Sequence, residues 1–290
     1  EMFERGNSKG VVEILNEKDI AADAAQARKE IEQGKLLVDS GRSLIEAGLQ
    51  KTRSLAEEYV LRAKALMTDY AEPRRFELAC HAYEQGIELI RANLSEEELA
   101  KSLFEYGCFL QTNKRYDLAE ARYRENLDIC QRLAAISPQA YEPSLAMVQN
   151  NLGLLCSDTQ RYEDSEEMYL SALEVYQRLT AVNPQVYEPY LVRACNNLSF
   201  LFLAQGNFEE AERYAREGSK YDFTHHTIYT NLAASLLLQG RYAEAEEIYL
   251  RYKEELKEDF LSDFEDFYRR GIIPPEREDD VERIKKLLSK

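Results

Sequence analysis

The residues best suited to nucleophilic, acid–base or metal chemistry are sparse in this sequence and poorly spaced for it. His225 and His226 are adjacent and His81 is the remaining histidine. Neighbouring helical positions point in different directions, so the pair is not placed to hold one metal ion. The five cysteines (Cys80, Cys108, Cys130, Cys156 and Cys195) are widely separated, odd in number and without a CxxC pair. Most fall on apolar helical faces, as reduced core thiols do, which suits a reducing, cytoplasmic compartment. Glutamate pairs such as Glu166-Glu167 and Glu246-Glu247 lie on polar helical faces. They read as solvated surface, not as buried dyads with shifted pKa values. No phosphate-cradling glycine loop, HExxH or GxSxG is present,. The expectation is no catalytic centre, no metal site and no cofactor.

Charge and composition narrow the partners. A formal charge of -16 opposes a phosphate backbone, so no nucleic-acid partner is expected,. No apolar run approaches the roughly 20 residues that span a bilayer, and the opening EMFERGNSKG has no signal-peptide pattern,. Helix formers dominate and Gly and Pro number only 12 and 7 among 290 residues, so the elements that position any site are helices,.

Those helices repeat. Segments from Asn113, Thr159, Gln205 and Gln239 align on Tyr116, Tyr162, Phe208 and Tyr242, in steps of 46, 46 and 34 residues. Before each turn lies a large–small pair: Tyr106/Gly107, Leu152/Gly153, Leu198/Ser199 and Leu232/Ala233. After it come Ala119, Ser165, Ala211 and Ala245, with Tyr123, Tyr169 and Tyr249 at the next inward position. Small residues let the two helices of a hairpin approach, and the large ones fill the seam. The two longer repeats carry a second copied run, SPQAYEPSL and NPQVYEPYL, in which Pro143 and Pro189 read as first-turn prolines,.

The string NNLGLLCSDTQRYEDSEEMYLSALEVYQRL, and the 34-residue step, resemble the tetratricopeptide family, in its long-repeat branch typified by kinesin light chain repeats,. The resemblance covers about Ser95 to Leu256. It implies an all-α, right-handed superhelical solenoid of antiparallel helix pairs whose first helices line a concave groove. It also implies that an asparagine on the inner face of each first helix bonds the backbone of an extended peptide. The matching positions are Asn151, Asn197 and Asn231, with Glu105 departing from the pattern in the first repeat. One turn earlier stand Lys101, Met147, Arg193 and Thr227,. Arg193 with Asn197 is the richest polar pair, suited to a ligand carboxylate and its amide. An asparagine amide donates and accepts, so it serves equally to bridge neighbouring helices.

The ends depart from the repeats. ERGNSKGVVEILNE mimics the turn and second helix of a repeat whose first helix is missing, which suggests a piece of a larger protein; an ordinary first helix is the competing reading. From Asp19 to about Tyr70 the pattern predicts one long helix, with Gly34, Gly41 and Gly48 at heptad spacing facing a close neighbour in this chain or in a homodimer. A hairpin broken near SGRS or EAG is the alternative. Residues 1–72 are thus expected to form an N-terminal helical segment, 73–256 the repeat array and 257–290 capping helices. A helix running from Ala243 to Gly271 and a short amphipathic one over Val281–Leu288 would make that cap.

The function expected is a scaffold or sensor that binds a protein or peptide through the groove, as a free-standing module or as part of a larger signalling protein. A second class resembles response-regulator phosphatases that join a helical bundle to such repeats. It would need Gln26, Gln33 or Gln50 aimed at a partner's phosphoryl group.

Overall fold

A computed structural model describes residues 17–36, 41–221 and 227–289. The partial-repeat mimic around Gly6 and Asn7, and the His225-His226 pair, lie outside them. Among the described residues the regular structure is helical, and contacts divide the chain into two units, Glu1–Ile129 and Cys130–Lys290.

In the first unit, α1 (Glu17–Leu36), α2 (Gly41–Thr68), α3 (Arg75–Asn93) and α4 (Glu96–Thr112) pack each on the next, and α5 (Tyr116–Ile136) begins. The single long helix expected over 19–70 is two helices, and the neighbour facing Gly48 is α1 of the same chain. A Cβ on Gly48 would stand 2.8 Å from Ile31 Cγ1 and 3.2 Å from the Ala27 carbonyl oxygen. Ile20, Ala24, Ala27 and Ile31 form the buried stripe of α1, at the spacing of one helical face,. Close backbone approach offsets the roughly 1 kcal/mol that an interior glycine costs a helix. Gly86 on α3 repeats the device against Ala56 and Tyr59 of α2. The Ser95–Glu98 capping box forms at the start of α4, and Glu98 also accepts from Arg53 Nε at 2.5 Å,.

The second unit takes the end of α5 and then α6 (Pro138–Asp158), α7 (Tyr162–Val182), α8 (Pro184–Ala204), α9 (Phe208–Gly218), α10 (Ile228–Leu238), α11 (Tyr242–Arg251), α12 (Lys253–Arg270) and α13 (Glu278–Ser289). Pro138 and Pro184 occupy the first helical position, so Pro143 and Pro189 sit inside α6 and α8, in their second turn. The expected first-turn placement is therefore one turn off. The terminal helix expected from Ala243 to Gly271 breaks at Tyr252 into α11 and α12, and Gly271 closes α12 in the left-handed conformation at φ 68°,.

The small–large pairing is the packing rule of each hairpin. A Cβ on Gly153 would meet the Tyr169 ring at 2.7 Å, and one on Gly107 would meet Tyr123 at 2.5 Å. Where serine replaces the small apolar residue it also bonds across the seam: Ser165 Oγ donates to the Gly153 carbonyl at 2.8 Å, and Ser199 Oγ to that of Ala211 at 2.7 Å. Ala119, Ser165, Ala211 and Ala245 are all fully buried.

Candidate functional site

The seven residues expected to line one groove fall into three settings. Lys101 belongs to the first unit. It is exposed at the rim of a cavity of about 480 Å³ floored by Val60, Leu61 and Ile90 and flanked by the Lys64–Glu105 and Arg53–Glu98 ion pairs.

In the second unit, asparagines tie the first helices of successive repeats together. Asn197 Nδ2 donates to Asn150 Oδ1 at 3.0 Å. Asn231 Nδ2 donates to both the carbonyl and the side-chain oxygen of Asn196, each at 3.0 Å. The second asparagine of one repeat thus bonds the first asparagine of the repeat before it. Asn151 instead donates to the Met147 carbonyl in its own helix at 2.9 Å. The bridging reading of these amides therefore describes Asn197 and Asn231 in the structure.

The face beyond those ties is roofed by α12. Phe267 packs near Phe200 of α8, with ring centroids 6.4 Å apart, and the Arg270 guanidinium lies 5.4 Å from the same Phe200 ring. A polar cavity of about 240 Å³ remains beneath, touched by Asn197, Thr227, Asn231, Asp259, Asp263 and Arg270. Burial pushes the Asp263 carboxyl up to about 6, against the pull of the nearby Thr230 hydroxyl, and Asp259 and Asp266 add to the rise,. Thr227 precedes α10 as its cap residue and is exposed.

Met147 lines a different place, an aromatic cavity of about 250 Å³ between α6, α7 and α8, and Arg193 stands beside it. Met147 and Pro143 line it from α6, Tyr176 from α7, and Val186, Tyr187 and Tyr190 from α8. Tyr190 stacks on Tyr176 at 5.6 Å, and Tyr187 tilts against Tyr190 at 6.4 Å. On Tyr190 rests the Arg193 guanidinium, 5.1 Å from the ring centroid, exposed and with no carboxylate partner among the described residues. Tyr176 is enclosed, its hydroxyl buried beside the Arg193 guanidinium. Burial pushes that phenol up to about 12, with Arg193 nearby drawing it down. The tyrosines were not among the expected site residues. Their sequence signal is the copied run YEPS and YEPY, in which Ser144 of one repeat becomes Tyr190 of the next.

Elsewhere Gln26, Gln33 and Gln50 are exposed on the first unit, and Gln26 Nε2 donates to Glu30 at 2.9 Å. Among the described residues no group of three or more His, Cys, Asp or Glu side chains is placed to hold a metal ion. No described helix is long and apolar enough to cross a membrane.

Among curated protein sequences none matches the chain. In solved structures it is similar to BtubC (BKLC) from P. vanneervenii, at 16% identity and TM-score 0.51, over 93% of this chain and 92% of that one. It is also similar to a Signal Transduction ATPase with Numerous Domains (STAND) protein with a tetratricopeptide repeat sensor from Pyrococcus horikoshii. That likeness has 18% identity and TM-score 0.55, over 90% of this chain and 42% of the other. At such identities the likeness is one of fold. Two tetratricopeptide repeat models match the sequence itself, over residues 144–220 and 227–251, the segments where the small–large seams and asparagine ties recur. Within residues 144–251 the chain carries tetratricopeptide repeats.

Proposed function

We propose that this protein is a protein-binding scaffold or sensor module, and that an extended segment of its partner lies along the faces of α6 and α8. The observation that carries this reading is Arg193. In a chain of net charge -16, most of whose arginines have a carboxylate at hand, this one is exposed, stacked on Tyr190 and without such a partner among the described residues. A guanidinium held on an aromatic face beside an open cavity is equipped to bond carbonyl or carboxylate oxygens. Met147 adds an adaptable apolar wall. Asn151 lies one turn further along α6 and is half-buried. Asn197 and Asn231 contribute by fixing the spacing of the helices, while α12 covers the part of the face nearest Asn231. Sensing is a role borne by the repeats of the STAND protein, and a binding role of that kind suits a site with no catalytic constellation.

The test is a display selection of random dodecapeptides on the full chain and on a Met147→Asp/Arg193→Glu variant. Peptides retained by the wild type and lost by the variant support the reading. A wild-type binding set indifferent to the double change overturns it.

A further inference from the structure

Resting on that reading, we propose that the cavity between α6, α7 and α8 takes a proline-bearing stretch of the partner in the extended polyproline conformation. The cavity is built by the long-repeat extension: Pro143 and Val186 to Tyr190 all belong to the copied YEP runs. Its room comes from one inequality between the copies. Ser144 on α6 is small where Tyr190 on α8 is large, so the α8 ring is not met by an equal ring across the gap.

The hydrogen-bonding groups around this space select the occupant. No carboxylate and no side-chain amide line it. It presents the hydroxyls of Ser144, Tyr187 and Tyr190, and the Arg193 guanidinium stands at its edge on the Tyr190 ring. A methylated lysine or other cation would fit the rings but meets Arg193. An ordinary residue brings an N–H that must be met by one of three hydroxyl oxygens or by water, a demand that proline does not make,. Proline brings a flat-sided ring, no N–H, and a carbonyl acceptor that guanidinium and phenol groups satisfy. Polyproline conformation is already extended, so its ordering entropy on binding is small. A proline-bearing stretch is also uncharged and meets no repulsion from the acidic chain.

Exposed apolar residues stand before and within the copied runs. Val182 and Ile136, at matching positions before the copied runs, are 85% and 80% exposed, and Val186 is 47% exposed.

The dodecapeptide selection tests this. Proline at a fixed position should be enriched among peptides that depend on Met147 and Arg193. A synthetic peptide carrying it should lose about tenfold or more in affinity on Tyr190→Ala by fluorescence anisotropy. Replacing the peptide's proline with N-methylalanine, which also lacks the N–H, should recover only part of the affinity. Binders that need Met147 and Arg193 but share no proline would overturn the proline assignment and leave the binding face standing. So would an unchanged affinity on Tyr190→Ala. No binder dependent on the face at all would remove both.

Discussion

The side-chain amide of Asn197 donates to the side-chain oxygen of Asn150 at 3.0 Å, joining α8 to α6 by a bond between side chains 47 residues apart. Asn150 is 3% exposed, so this bond has no ready substitute in water. Asn197→Ala should destabilise the second unit by about 1–2 kcal/mol in urea denaturation, because it strands a buried acceptor. The Asn150→Ala/Asn197→Ala pair should cost less than the sum of the single changes. Additive costs would mean that the two amides do not depend on each other.

Gly153 should tolerate no side chain. A methyl group there would meet the Tyr169 ring at 2.7 Å, and Tyr169 is fixed in the core at 1% exposure. Gly153→Ala should lose about 1–3 kcal/mol despite alanine's better helix propensity, and Ala245→Leu should overpack its seam by a similar amount. A rise in melting temperature for Gly153→Ala would contradict the seam.

Gly48→Leu should lower stability without changing the mass in light scattering, since the group it would strike is Ile31 of the same chain,. A change from dimer to monomer would instead place a second chain at that stripe.

Asp263 sets a pH dependence of definite sign. Its folded pKa, about 6, lies above the ordinary 3.8, so between those values the folded state holds more proton than the unfolded one. Stability from this group is highest in acid and is lost as pH rises through that window, by about 2–3 kcal/mol at most. Asp263→Asn should remove the loss and stabilise the protein at pH 7. Glu212 works in the opposite direction: its hydrogen bonds from Gln239, Arg216 and Arg241 outweigh burial and hold its pKa below the usual carboxylate range. The readout is therefore the difference between Asp263→Asn and wild type across pH. A flat difference would show that the Asp263 carboxyl is hydrated.

Gln160 and Lys114 take the left-handed backbone conformation, at φ 61° and 58°, in the turns where Gly206 and Gly240 serve the later hairpins. Gln160→Gly should relieve about 1 kcal/mol of strain, offset in part by the freer unfolded chain, for a small net gain in urea denaturation. A clear loss would mean that the Gln160 side chain contributes contacts that outweigh the strain.

The repeats were legible because their seams are written in residue size. Gly153 facing Tyr169 and Ala245 beside Tyr249 recur at fixed offsets, and contacts between neighbouring helices need no distant information. The continuous helix read over 19–70 was less legible, since heptad spacing in Ile31 and Ile45 persists across a hairpin whose two arms face each other. The asparagines stand out in the sequence, but an amide suits a ligand or a neighbouring helix equally, and only the folded arrangement makes Asn196 the partner of Asn231,. The roof was illegible for a related reason. Phe260, Phe264 and Phe267 announce an apolar face on α12, yet nothing local to them names Phe200 as what it covers.

That roof has a consequence in time. Phe267 reaches the ribosome exit well after Phe200, and α12 has nothing to pack against until α8 and α10 are in place. Stacked repeats contact only their neighbours, so α8 and α10 can order before α12 is available. The nascent second unit therefore passes through an interval in which Phe200, Asn197 and Asn231 are shaped but bare. A chaperone or an early-arriving subunit that recognises this face has its best access then, before translation closes it.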